Sequence, residues 1–186
     1  MRTHLALIFS LCFFATLHTA QAQFCNVHID ASTPDSQLVD NGNGTVTDSR
    51  TRLMWKKCLE GVSGSYCESG IATAFTWQTA LQRPRVINNS SGFAGYRDWR
   101  LPNIKELRSI VEEHCYSPAI NLTRFPNTPT NMVWSGSPFA LEDMVEEASQ
   151  PIKEFSYVVS FSNGNSSYWF RDHHVGLNVR LVRGGQ

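Results

Sequence analysis

The chain has 186 residues, with 16 basic and 16 acidic side chains and a formal net charge of +0. That length fits one domain with a real hydrophobic core. The balanced charge excludes the basic excess that nucleic-acid or anionic-membrane binding calls for.

Residues 1–22 read as a secretory signal peptide and not as part of the fold. Arg2 supplies a positive n-region, Leu5 to Leu17 is apolar apart from Ser10 and Thr16, and Ala20-Gln21-Ala22 is a small-x-small cleavage site. The run is too short to span a bilayer comfortably, and no later stretch reaches the required length, so no membrane span is expected after cleavage. Phe24 before Cys25 disfavours lipoprotein-type processing. The mature chain then starts at Gln23 and, having lost Arg2, carries a net charge of −1 (15 basic, 16 acidic residues).

Four cysteines remain after cleavage: Cys25, Cys58, Cys67 and Cys115. An even number in an exported chain reads as disulfides, with three possible connectivities. Cys58 and Cys67 bracket a Gly/Ser-rich loop and form the natural local pair, which leaves Cys25 with Cys115. Zinc would need paired C-x₂₋₄-C spacings, which the chain lacks, so no zinc site is expected at these cysteines; no other metal and no cofactor is expected either.

Residues 23–37 read as an N-terminal arm without a period. Leu38 to Asp48 carries Asn-Gly twice between β-formers, a strong hairpin signal. Asp40, Asn41, Asn43 and Asp48 suit turn chemistry better than an EF-type calcium loop, which would need an oxygen ligand where Gly42 stands. Thr51 to Trp55 continues as a strand, and residues 59–72 read as a disulfide-closed loop. Thr76 is placed to cap a first helix, which Pro84 should end or kink.

Trp99-Arg100-Leu101-Pro102 leads into Asn103, an N-cap, with Glu106 three residues on in capping-box position. Leu107, Ile110 and Val111 make an apolar stripe, so a second helix is expected to about Glu113. Trp99, Leu101 and that stripe are expected to meet in one core, joined by Trp55, Trp77 and Leu181. Residues 116–131 carry Pro118, Pro126 and Pro129 and read as an irregular connection; Met132 to Ser135 reads as a strand, and Ala140 to Ser149 as a short surface helix. Tyr157 to Phe161 and Ser166 to Phe170 flank an Asn-Gly turn as a second hairpin. Leu177, Val179 and Leu181 alternate with Asn178, Arg180 and Val182, the pattern of a half-buried closing strand. Strands, two helices, then strands again give an α+β class with a mostly antiparallel sheet and disulfide bonds.

An ordered series of motifs runs through the chain: Asp40-Asn41-Gly42-Asn43-Gly44-Thr45-Val46-Thr47-Asp48, Leu53-Met54-Trp55, Thr76-Trp77-Gln78-x-Ala80-Leu81, Gly95 to Leu107, Phe125-Pro126-Asn127-Thr128, Trp134-Ser135, and Val179 to Gly185. Taken in this order, the series over residues 38–186 resembles the bacterial domain family typified by the C-terminal domain of the Legionella collagen-like adhesin. The resemblance implies a fold related to C-type lectins and formylglycine-generating enzymes. It also implies an exported protein and a setting beside adhesive regions; the adhesin that names the family binds sulfated polysaccharides. Many relatives carry one cysteine in the helix after the Thr-Trp-Gln motif and another in the last strand, where this chain has Leu181. Disulfide connectivity therefore does not carry over, and no collagen-like region implies trimeric binding.

Three function classes follow. The first is a secreted binding module for a polysaccharide or a surface protein, with Tyr168, Trp169, Arg171, Asp172, His173 and His174 as the candidate surface. Aromatic faces there can stack on sugar rings, and Arg and His can face anionic groups. Alternation sends one of Tyr168 and Trp169 inward. The calcium-binding sugar motifs Glu-Pro-Asn and Trp-Asn-Asp are missing. The second is an enzyme. No cysteine lies beyond Cys115 for formylglycine-type chemistry, no Gly-x-Ser-x-Gly elbow is present, and two adjacent histidines make a poor metal pair. No catalytic residue is therefore expected. The third is a structural or accessory subunit of an envelope or appendage complex, which an exposed aromatic patch would favour.

Overall fold

The computed structural model describes residues 22–139, 154–172 and 175–184. The leader, the Ala140–Ser149 helix expectation, and His173 and His174 fall outside the described residues, apart from Ala22. In chain order the elements are β1 (Phe24–Cys25), β2 (Leu38–Asp40), β3 (Thr45–Asp48), β4 (Leu53–Lys56), β5 (Val62–Ser63), β6 (Ser69–Gly70), α1 (Trp77–Asn89), α2 (Ile104–Arg108), β7 (Cys115–Tyr116), β8 (Met132–Phe139), β9 (Phe155–Ser160), β10 (Ser166–Phe170) and β11 (Val182–Arg183). The strands form a four-stranded sheet β11-β4-β3-β2, a three-stranded sheet β10-β9-β8, and the two-stranded pairs β1-β7 and β5-β6. All of these strand pairings are antiparallel, in keeping with the expected mostly antiparallel α+β class.

Both Asn-Gly hairpins form. In the first, Asp40 Oδ1 accepts the Gly42 N–H at 3.0 Å, and Asn41 Nδ2 donates to Thr45 Oγ1 at 2.8 Å, so these side chains serve the turn. Gly42 sits at φ 73° and Gly44 at φ 83°, left-handed conformations that a β-carbon would strain. The arm is not loose. It forms β1 against β7, and Gln23 Nε2 donates to the carbonyls of Pro118 and Ile120, each at 2.7 Å. The disulfides are Cys25–Cys115 and Cys58–Cys67, the latter closing the loop that contains β5 and β6.

The two helices differ from expectation in opposite ways. Thr76 caps α1 as foreseen; of the two outcomes expected at Pro84, an end or a kink, the end does not occur, because the helix runs on to Asn89. Pro84 has no N–H to give the preceding turn, yet its ring is buried on the same stripe as Ala80 and Ile87, and that packing holds the helix through the gap. By contrast, α2 stops at Arg108 instead of reaching Glu113. Its start is the foreseen capping box: Glu106 N–H donates to Asn103 Oδ1 at 2.8 Å, and Asn103 N–H to Glu106 Oε2 at 2.8 Å. After Ser109 the chain turns so that Glu112 N–H bonds the Ala119 carbonyl and Val111 bridges Ile120. Ile110, in the turn that closes α2, and Val111, in the bridge to Ile120, are buried beyond the helix and not on its face. Cys115 accordingly lies in a strand and not at a helix end.

The buried apolar side chains form two clusters, not one. Trp55, Leu107, Ile110, Val111, Phe125, Val159 and Val182 belong to the first; Trp99, Leu101, Trp134, Val158, Val179 and Leu181 to the second. Trp99 and Leu101 are therefore separated from the Leu107 stripe they were expected to join. Successive residues in strands point to opposite faces, and here both faces find a core: Val133 and Trp134, Val158 and Val159, and Leu181 and Val182 each split between the clusters. This overturns the half-buried reading of the closing segment, because Asn178 through Arg183 is buried on both sides. The Trp99-to-Pro102 segment and the closing strand do meet: Arg100 and Val182 exchange N–H···O bonds at 2.8 and 3.0 Å, and Trp99 is only 2% exposed.

Candidate functional site

The N-terminus of α1 and the open end of the β9–β10 hairpin face one another. Thr76 turns the chain into the helix and places Trp77 at its first position. The Trp77 indole Nε1–H donates to the Ser135 carbonyl on β8 at 2.9 Å, while the backbone N–H of Trp77 bonds the Arg171 carbonyl at 3.2 Å. Arg171 follows β10 directly. Its guanidinium lies 4.3 Å from the Trp77 ring centroid, close enough for cation–π attraction. Its Nε donates to the Phe155 carbonyl and to Ser156 Oγ, both at 2.9 Å, and its Nη1 pairs with the Glu154 carboxylate. The arginine is thus held in place and largely spent within the protein.

These groups line a cleft of about 450 Å³ made by Thr76, Trp77, Gln78, Leu81, Glu154, Arg171 and Asp172. Leu81 is 39% exposed and offers an apolar wall; Gln78, Glu154 and Asp172 offer hydrogen-bonding groups. With Arg171 paired to Glu154, the Asp172 carboxylate leaves the cleft mildly acidic.

Of the residues expected to bind, Arg171 and Asp172 are brought together in this cleft. Trp169 packs against the second cluster, and Tyr168 points to the other face of the sheet, so the pair divides as alternation demands. Tyr168 is 42% exposed and stacks on Phe139 at 4.4 Å with an 18° tilt; Phe155, Tyr157 and Phe170 extend this into an aromatic patch. Among the residues expected in the core, Trp55, Trp99, Leu101, Leu107 and Leu181 are buried. Trp77 is half-buried and shares its surface between the second cluster and the cleft. Sequence reasoning missed Gln78, Leu81 and Glu154. The Thr76-Trp77-Gln78 run was legible as a helix start, but nothing local says that residue 154 returns to it.

Among the described residues, one group has ligand atoms close enough to share a metal ion: Cys25, His114 and Cys115, all within 4.8 Å. The two sulfurs are bonded to each other, so this group presents no thiolates. No helix among the described residues is long and apolar enough to cross a membrane.

The family model described as the Lcl C-terminal domain matches residues 44–183, and every element from α1 to β11 falls within that span. No curated protein and no solved structure matches the chain. The matched span takes in most of the chain, all of the second core, the first core except Leu38, and the whole cleft, and the chain belongs to the Lcl C-terminal domain family.

Proposed function

We propose that this chain is an exported, non-catalytic recognition module, with a C-type-lectin-like scaffold, that binds a polysaccharide in the Trp77–Arg171 cleft. The observation that carries the reading is the makeup of that cleft: an indole under a guanidinium, an exposed leucine, and amide and carboxylate groups around a concave space of about 450 Å³. A sugar ring has apolar C–H faces and a rim of hydroxyls, and such a lining answers both. The two disulfides support a life in an oxidising compartment. Because Arg171 is already paired with Glu154, the cleft favours neutral or amino sugars over sulfated ones.

The test is a glycan array followed by calorimetry on the mature chain. Binding of neutral or amino glycans with little salt dependence is expected. Asp172→Ala should weaken it about 10-fold or more, the loss of a hydrogen bond to a charged group, while Tyr168→Ala leaves it unchanged. Salt-sensitive retention on heparin alone, or no glycan binding at all, would contradict this reading.

The aromatic patch around Tyr168, on the edge strand β10, favours a second role as an accessory subunit docked through that face. Tyr168→Ser would then weaken assembly with a partner and spare the cleft.

A further inference from the structure

The N-terminal arm and the segment after α2 enclose a second cavity of about 360 Å³, whose wall includes Gln23, Cys25, Asp35, Glu112, His114 and Cys115. The Cys25–Cys115 disulfide opens onto it, with Cys25 exposed and Cys115 buried. His114 Nε2 lies 3.4 Å from Cys115 Sγ, and His114 Nδ1 lies 2.6 Å from Glu112 Oε1. Glu112 is only 2% exposed, and its carboxylate also accepts the N–H and hydroxyl of Ser32 at 2.7 and 2.8 Å and those of Thr33 at 2.9 and 2.7 Å. A carboxylate with that many donors is an acceptor only, so the His114 proton sits on Nδ1 and Nε2 faces the sulfur. Among the described residues, no histidine or carboxylate clusters with the sulfurs of the other disulfide. Cys58 and Cys67 are both buried, and Cys58 Sγ lies 3.6 Å from the Gly64 carbonyl.

We propose that Cys25–Cys115 is a thiol–disulfide exchange site for a low-molecular-weight thiol, with His114 as its acid–base group and Glu112 as the positioning residue. The incoming thiolate attacks the exposed Cys25 Sγ. A sulfur–sulfur bond forms there as the Cys25–Cys115 bond breaks, and the electron pair leaves on Cys115 Sγ. Protonated His114 gives its Nε2 proton to that sulfur and regains one from solvent, which received the proton the free thiol lost. One thiol and one disulfide become one mixed disulfide on Cys25 and one Cys115 thiol. In the reverse step neutral His114 takes the Cys115 proton, Cys115 attacks Cys25 Sγ, and the small thiol leaves. The arm stays docked while the bond is open, because Gln23, Ser32 and Thr33 hold it through separate hydrogen bonds.

The experiment exposes the oxidised mature chain to reduced glutathione, quenches by alkylation, and maps adducts by mass spectrometry. The glutathione adduct should form on Cys25, about 10-fold or more faster than Cys58–Cys67 opens, with far-UV circular dichroism unchanged. His114→Ala should slow it about 10-fold or more, within the range of general acid–base catalysis, and added imidazole should restore part of the rate. Nitrogen NMR should show the Nδ1–H tautomer of His114 in the native chain and its loss in Glu112→Ala, which leaves no acceptor at that position; the same tautomer in both would overturn the positioning role of Glu112. Equal opening of both disulfides, an adduct on Cys115, or a His114→Ala rate that is unchanged or not rescued by imidazole would overturn the proposal. If His114→Ala does not fold, the relative rates and the adduct position in the native chain still decide.

Discussion

Glu112 and Arg180 are buried charges with roles that only distant partners reveal. For Glu112, burial alone would push its carboxyl up; hydrogen bonds from His114, Thr33 and Ser32 outweigh this and hold it at about 2, against an ordinary 4.5. A carboxyl lowered on folding adds stability that is full above the unfolded value and fades as pH drops towards the folded one. The contribution, up to roughly 3 kcal/mol, should therefore disappear between pH 4.5 and about 2. Urea midpoints measured down this range should fall steeply in the native chain and more gently in Glu112→Gln; parallel curves would refute the assignment. Arg180 is fully buried, and burial pushes its guanidinium down to about 9. It donates to the Lys56 and Lys57 carbonyls and to Thr128 Oγ1, and lies 4.8 Å from the Phe125 ring centroid. Arg180→Met should cost about 2–4 kcal/mol by leaving those carbonyls without donors, measured by chemical denaturation; a neutral result would mean that water replaces the guanidinium. Neither role was legible. Glu112 stood in an apparent helix, Arg180 alternated with Val179 and Leu181 like a solvent-facing side chain, and their partners lie far along the chain.

At the scale of elements, what is fixed within a few residues was readable. Asn-Gly turns, the Thr76 cap and the Asn103–Glu106 capping box all stand where turn and cap chemistry puts them. Asn103→Ala should cost about 1 kcal/mol, seen as a lower thermal midpoint; no change would mean that the bond from Ile104 N–H to Ser137 Oγ suffices to hold α2. Element ends were less readable because tertiary contacts set them. Pairing of the Val111 region with Ala119 and Ile120 shortens α2, and burial of Pro84 lengthens α1. The cleft shares this history. Arg171 and Asp172 could be nominated from their own loop, whereas Trp77, Gln78 and Leu81 arrive from α1 and Glu154 from the far side of β9.

Across the whole molecule, the closing segment ties the two cores together. Leu181 enters one and Val182 the other, while Arg183 reaches Asp98 at 2.7 Å through Nε. That side-chain bond from the Arg183 guanidinium outweighs burial and holds the Asp98 carboxyl below its ordinary value. Unfolding should consequently be a single event, with tryptophan fluorescence and far-UV circular dichroism following one transition. Two separate transitions would show that the clusters stand independently.

The recognition role is tested most directly by recording backbone and indole N–H resonances of the mature chain while titrating in a neutral or amino glycan taken from the array. Shifts should gather on Trp77 Nε1–H and on residues 76–81, 154, 171 and 172. Shifts confined to the Tyr168 patch or the Cys25–Cys115 cavity, or none at saturating glycan, would contradict the account.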